Sequence, residues 1–249
     1  MIANAVKNYL KTSGTNAVNL KAVLFDMDGV LFDSMPNHAE SWVRTMKQLG
    51  IDFSPEEAYM NEGRTGTGTI NLAFQRVFGR NVSEEEAREI YQIKSDHFNN
   101  CPKAKVMPGV IDVLEKVKAA GLQLMIVTGT GQKSLLESVD AGFPGIFDTN
   151  LMITANDVVH GKPNPEPYLK ALQKGGYKPE ETIVVENAPL GVQSAHAAGI
   201  FTIAVNTGPL PDEILQNAGA DIIFADMHSF SDRWEELLSA LNDTRTITN

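Results

Sequence analysis

Two aspartates one residue apart, Asp26 and Asp28, close an apolar run and are followed by Gly29. Polar residues close later apolar runs in the same way. Thr128 ends residues 122–128, and Glu186, followed by Asn187, ends residues 182–186. Lys162 stands in the loop His160-Gly161-Lys162-Pro163, upstream of that last run. Ligands of open parallel sheets bind beyond the carboxyl ends of the strands, so these groups are expected at one sheet edge. The set suits phosphoryl transfer, which needs a nucleophile, a metal that bridges oxygens, and cations or donors for the equatorial oxygens. A carboxylate can be the nucleophile and form an aspartyl-phosphate. Hard oxygen ligands that leave room for water suit Mg²⁺. A second Asp two residues along can protonate the leaving group and then activate water.

The elements that must hold these groups are visible as short apolar runs at residues 21–26, 122–128, 182–186, 200–205 and 221–224, with a shorter candidate at 151–153. All are apolar on both faces, as parallel strands covered by helices are. Helical stretches at 108–120, 165–174 and 188–198 separate them, the first two opening on a proline, and all three stopping at a glycine (Gly121, Gly175, Gly199). Strand–helix alternation predicts a doubly wound α/β sheet. Residues 36–103 differ, with no convincing strand. Helical periodicity over 38–49 stops at Gly50. Ser54-Pro55-Glu56-Glu57 and Ser83-Glu84-Glu85-Glu86 read as helix starts with capping boxes. The expected organisation is an α/β core from residues 21–35 and 104–249, a helical cap at 36–103, linkers at 33–36 and 102–106, and an N-terminal extension at 1–20 holding at most one weak helix.

Composition narrows the function classes. Lys and Arg number 21 against 31 Asp and Glu, a net charge of −10. That balance argues against nonspecific binding to nucleic acid or anionic lipid. No apolar stretch approaches the roughly 18 residues of a membrane helix. Cys101 is the only cysteine, which excludes an internal disulfide framework and a Cys-rich zinc site. A cytoplasmic location is expected, and a monomer is compatible with the composition.

Asp26-Met27-Asp28-Gly29-Val30, Thr128, Gly161-Lys162-Pro163, and Glu186-Asn187 with Gly191 and Ala197-Ala198-Gly199 occur in this order. The series resembles the haloacid dehalogenase (HAD) superfamily of phosphohydrolases, and within it the β-phosphoglucomutase-like branch, whose helical cap follows the first strand. The resemblance implies a Rossmann-like parallel-sheet core with an inserted α-helical cap. It implies Asp26 as nucleophile and Mg²⁺ ligand, and Asp28 as general acid/base with its carbonyl on the metal. Thr128 and Lys162 would clamp the phosphoryl group, and Glu186 and Asn187 would form the acidic motif on the metal side. Most relatives carry Asp where Asn187 stands, so this site brings one charge fewer.

The cap segment Asn61-Glu62-Gly63-Arg64-Thr65-Gly66-Thr67-Gly68-Thr69 resembles the specificity loop of that branch. Aligning Gly63 with the loop glycine of the glucose-phosphate mutases puts Gly66 where their phosphate-gripping Arg stands. Arg64 is displaced by two positions, and the acidic Glu62 precedes the glycine. Lys94 and His38 match the mutases' cap lysine and first-helix histidine. Loss of the aligned Arg and gain of a carboxylate favour a hydrolase with a small phosphorylated substrate. Caps of this kind, with the Glu-Asn motif, resemble a subgroup that hydrolyses inorganic pyrophosphate. A β-phosphoglucomutase and a sugar-phosphate phosphatase are the alternatives.

Overall fold

The computed structural model describes residues 1–131 and 133–244. Five parallel strands form the central sheet: β1 (Ala22–Phe25), β4 (Gln123–Ile126), β5 (Thr182–Glu186), β6 (Phe201–Val205) and β7 (Ile222–Phe224), in the order β4-β1-β5-β6-β7. β1 lies next to the break in order and is buried along its whole length. Phe25 is level with Ile126 on one side and Val185 on the other. One residue further, Asp26 therefore stands beside Val127 and Glu186.

Side chains of β1 alternate between two cores. Val23 and Phe25 join the larger one, with α6 (Val110–Ala119), α11 (Met227–Asp232) and α12 (Trp234–Asp243). Ala22 and Leu24 face the smaller one, with Tyr168 and Leu172 of α8 (Glu166–Gly175) and Ala195 of α9 (Pro189–Ala197). α7 (Lys133–Gly142) and α10 (Asp212–Asn217) complete the shell. The left-handed residue that stops α8 is Gly176, one place beyond the glycine expected, with φ 71°. The candidate strand at 151–153 is reduced to a single parallel bridge between Ile153 and Val127, after a 3₁₀ turn at Thr149–Leu151.

α1 (Ile2–Ser13) lies against this core rather than outside it. Ile2, Val6 and Tyr9 are buried in the larger cluster, and the Tyr9 hydroxyl donates to the Gly199 carbonyl at 2.9 Å.

Between β1 and β4 the chain forms α2 (Met35–Gln48), α3 (Pro55–Met60), α4 (Gly66–Phe78) and α5 (Glu84–Asn99), which enclose an apolar cluster of their own built on Trp42, Met46, Phe53, Ile70 and Phe74. Ser54 accepts from the Glu57 amide but makes only half of the expected capping box, whereas Ser83 and Glu86 make both halves. The two segments expected as linkers pair with each other. β2 (Phe32–Asp33) and β3 (Lys105–Val106) form an antiparallel ribbon, Phe32 opposite Val106 and Asp33 opposite Lys105. The chain thus leaves and re-enters the core at one hydrogen-bonded point. Among the described residues, no helix is long and apolar enough to cross a membrane.

Candidate active site

Three neighbouring strand ends converge on Lys162. Its ammonium donates to Asp26 Oδ1 at 2.5 Å, to Glu186 Oε1 at 2.6 Å and to the Val127 carbonyl at 3.1 Å. The side chain is 1% exposed, and a charge buried there needs the opposite charge that Asp26 and Glu186 supply. Burial pulls Lys162 down, but Asp26 and Glu186 outweigh it and hold it firmly protonated. Burial also raises Asp26, to about 8, against the opposing charge of Lys162.

Glu186 is expected from the sequence among the metal ligands, and the structure places it differently. Oε1 accepts from Lys162 and from the Tyr168 hydroxyl at 2.8 Å, and Oε2 accepts from the amides of Asn187 and Ala188 at 3.0 and 3.3 Å. Both oxygens are engaged, so Glu186 anchors Lys162 and the turn into α9 instead of offering a free oxygen. The open oxygen belongs to its neighbour. Asn187 donates through Nδ2 to Glu62 Oε1 at 3.0 Å, and its buried Oδ1 has no hydrogen-bond partner among the described residues. A buried acceptor without a donor is costly. Asn187 Oδ1 and the Asp26 carboxylate, with the Asp28 carbonyl that the resemblance implies, would make an all-oxygen set. Among the described residues no three His, Cys, Asp or Glu cluster as a protein cage. One carboxylate, one backbone carbonyl and one side-chain amide would suit Mg²⁺, which usually keeps waters and takes its remaining oxygens from a phosphorylated ligand.

The turn after Asp26 brings Asp28 to the same edge. Gly29 has φ 77°, and a Cβ there would stand 2.0 Å from Asn187 Nδ2, so this turn requires glycine on both counts. Asp28 Oδ1 accepts from Ser34 Oγ at 2.6 Å and faces His38 Nε2 at 3.1 Å. His38 Nδ1 lies 2.7 Å from Lys94 Nζ. When Lys94 is protonated it can only donate, so Nδ1 then accepts and the imidazole proton sits on Nε2, directed at Asp28. Burial lowers His38, with Lys94 adding to it, as a neutral ring requires. Burial also pulls Lys94 down, to about 7, where it sits among the rings of Trp42, Tyr91 and Phe98. Burial alone would raise Asp28; His38, Ser34 and Lys94 together hold it below its ordinary value.

The cap turn 61–64 closes over this edge. A Cβ on Gly129 would stand 2.4 Å from the Gly63 carbonyl oxygen, and one on Gly63 would stand 2.9 Å from Lys162 Cδ. Glu62 is 8% exposed, and burial, reinforced by Asp26, raises its carboxyl well above the usual range. The cavity left between cap and core measures about 50 Å³, and Asp26, Asp28, His38, Glu62, Gly63, Arg64 and Lys94 all reach its wall. Thr128, Lys162, Glu186 and Asn187 do not line it. Thr128 Oγ1 accepts from the Thr130 amide at 3.0 Å, which leaves its proton free to donate. Arg64 Nε donates to Asn61 Oδ1 at 3.1 Å, and Arg64 also borders an outer groove with His160 and Asn164. Only 61–64 of the expected specificity loop is a turn, because α4 begins at Gly66, capped by Thr65.

The structure thus gathers the sequence-derived residues into one site and adds three that the sequence reading passed over: Ser34, Tyr168 and Tyr91. Ser34 precedes a helix, as a capping serine does, which gave a signal for position but none for contact with Asp28.

A family model described as haloacid dehalogenase-like hydrolase matches residues 23–205, a span that contains every residue of the site. The chain belongs to that family. The E. coli hexitol phosphatase A is 34% identical over 190 residues, 75% of this chain and 83% of that protein. The pyrophosphatase PpaX of Oceanobacillus iheyensis is 28% identical over 211 residues, 84% of this chain and 94% of that protein. A solved structure from Bacteroides vulgatus, provisionally described as a beta-phosphoglucomutase, superposes with a TM-score of 0.94 at 60% identity, covering 97% of this chain and 98% of that one. The chain is an enzyme of the phosphatase/mutase group of that family.

Proposed function

We propose that this protein is a Mg²⁺-dependent phosphohydrolase of small phosphorylated substrates, with inorganic pyrophosphate favoured, working through a phosphorylated Asp26. The observation that carries the choice of substrate is Glu62 against Asn187 at 3.0 Å. It sets a cap carboxylate inside the site, beside a cavity of only about 50 Å³. A sugar phosphate needs room and hydroxyl partners there, and Glu62 fills that space instead. Pyrophosphate is compact and needs neither.

In this reading Asp26 attacks the phosphorus while Lys162 keeps the carboxylate oriented and offsets charge on the transferring group. Thr128 and the backbone around Gly129 and Thr130 donate to its oxygens. Asp26, Asp28 and Asn187 would hold Mg²⁺, which would neutralise charge on the phosphoryl group. Asp28, oriented by Ser34 and His38, gives a proton to the departing group and then takes one from the water that hydrolyses the phospho-aspartate. Contact of the cap turn with Gly129 limits water at the first step. The acidic charge fits a cytoplasmic enzyme with small-molecule partners and no nucleic-acid or membrane partner.

The test is phosphate release with Mg²⁺ from pyrophosphate, run beside β-glucose 1-phosphate and a panel of small phosphate esters, for the wild type and Glu62→Ala. The expected result is fast release from pyrophosphate, weak ester cleavage, and a changed preference in the variant. Slow pyrophosphate cleavage with conversion of glucose 1-phosphate to its 6-isomer would replace this reading with the mutase. The 60% identity to the Bacteroides vulgatus protein makes that the second reading.

A further inference from the structure

Tyr91 belongs to α5 and to none of the motifs of the phosphoryl-transfer edge, yet its ring lines the cavity above Asp26 and Asp28. Three features lock it there. The hydroxyl faces the loop that follows Thr128, at Thr130 and Gly131. The ring lies 6.4 Å from that of Trp42, centroid to centroid, and carries Lys94 Nζ at 5.9 Å. Its edge occupies the space beside Gly66: a Cβ on that residue would stand 2.2 Å from Tyr91 Cδ2 and 2.3 Å from Cε2. Any side chain at Gly66 would displace the ring. Gly66 and Tyr91 are therefore a matched pair, one giving up its side chain and the other filling the room.

We propose that Tyr91 is the residue that limits the length of the phosphorylated substrate, its ring walling off the cap side of the cavity beside Gly66. A tyrosine suits the task, since its two side-chain torsions are few to fix and its ring is large and rigid. A substrate extending past its phosphoryl group towards the cap meets the ring, and making room means moving it out of its packing against Trp42 and Gly66. The inference rests on the phosphohydrolase reading but not on pyrophosphate as the substrate.

The experiment measures kcat and KM for phosphate monoesters of two-, three- and six-carbon alcohols, with pyrophosphate alongside, for wild type, Tyr91→Ala, Tyr91→Leu and Tyr91→Phe. Melting temperatures are recorded for each. Selectivity is the ratio of kcat/KM for the six-carbon ester to that for the two-carbon ester. Tyr91→Ala is expected to raise this ratio about tenfold or more, the scale on which a pocket discriminates substrates by size. Tyr91→Phe keeps the ring, so the ratio should stay at the wild-type value. If Tyr91→Ala does not fold, Tyr91→Leu takes its place, with a rise of at least about threefold expected from its shorter side chain. A uniform fall for all esters in the small-residue variants, with an unchanged ratio, would make Tyr91 ordinary cap packing and overturn the proposal. So would a ratio shifted as much by Phe as by Ala. The ester ratio is readable whether or not pyrophosphate is a substrate, so failure of the pyrophosphate reading would appear separately, in the wild-type rates.

Discussion

Asp26, Asp28, Glu62 and Glu186 bring four carboxyl groups to one buried edge, and Lys162 pairs with only two of them. Burial and the neighbouring carboxylates lift both Asp26 and Glu62, so the edge stores unfavourable negative charge that a bound divalent cation would relieve. Asp26→Asn separates function from stability here. Phosphate release should fall by at least about 10³-fold, because an amide is no nucleophile. The melting temperature in EDTA should not fall, because the substitution removes a crowded carboxylate and leaves Lys162 paired with Glu186. Near-wild-type turnover would remove the nucleophile assignment, and a drop of more than about 10 °C, several kcal/mol for a chain of this size, would remove the account of stored charge. The same scale explains what the sequence made legible. Asp26, Thr128 and Glu186 each end or closely follow an apolar run, so strand direction alone put them at one edge. Ser34, Tyr91 and Tyr168 sit at or on helices, where sequence marks a face but not the group across the gap. Glu186 and Asn187 are adjacent, and spacing could not divide their work. The free Oδ1 of Asn187 and the fully engaged Glu186 emerge only from the hydrogen bonds.

At the scale of elements, the five strands and the helix stops were readable from apolar runs and glycines. The β2–β3 ribbon was not, since two-residue strands are too short to show a period. Ile153 failed as a strand for a related reason: beyond β4 it finds one partner, Val127, and nothing on its other side sustains a ladder. The β6–β7 pair carries a testable charge. Asp221 Oδ2 accepts from the Thr202 amide at 2.7 Å, and burial raises the carboxyl to about 6, with that hydrogen bond and His196 opposing. A folded-state value above the unfolded 3.8 means that the proton favours folding. This contribution is full below pH 3.8 and is lost as pH rises through 6. Asp221→Asn keeps an acceptor for Thr202 and cannot ionise. It should therefore stabilise the protein at pH 8 and change little at pH 4. The shift of about two units sets a ceiling of about 3 kcal/mol, which partial solvent screening reduces to about 1, or about 2–4 °C in melting temperature. Thermal melts of both proteins at the two pH values decide it, and an equal change at both would sink the argument.

At the scale of the whole molecule, the first thirteen residues are where a reading from composition alone goes furthest astray. The spacing Ile2, Val6, Tyr9 is a helical stripe, but a stripe does not say what it covers. In the structure it covers the core. Tyr9 meets Phe201 edge-on at 5.4 Å and bonds Gly199, and α1 packs along α12. Beyond the helix, the amides of Asn19 and Lys21 donate to Glu180 and Glu181 ahead of β5. Gly199 and Glu181 precede β6 and β5, so α1 seals the amino-terminal edge of the sheet, opposite the edge that carries Asp26. Stability and chemistry thus occupy opposite ends of the same strands. Burying Ile2, Val6 and Tyr9 contributes about 5–8 kcal/mol as an upper figure, comparable with the whole stability of an ordinary domain. A chain lacking residues 1–13 should melt on the order of 10–25 °C lower. Its turnover per folded molecule, measured at low temperature against the intact chain, should be unchanged, because no residue of α1 touches the phosphoryl-transfer edge. A melting temperature within about 3 °C of the intact protein, under about 2 kcal/mol, would make α1 an appendage after all. A changed kcat at equal folded concentration would mean that the two ends of the sheet are coupled through β5 and β6.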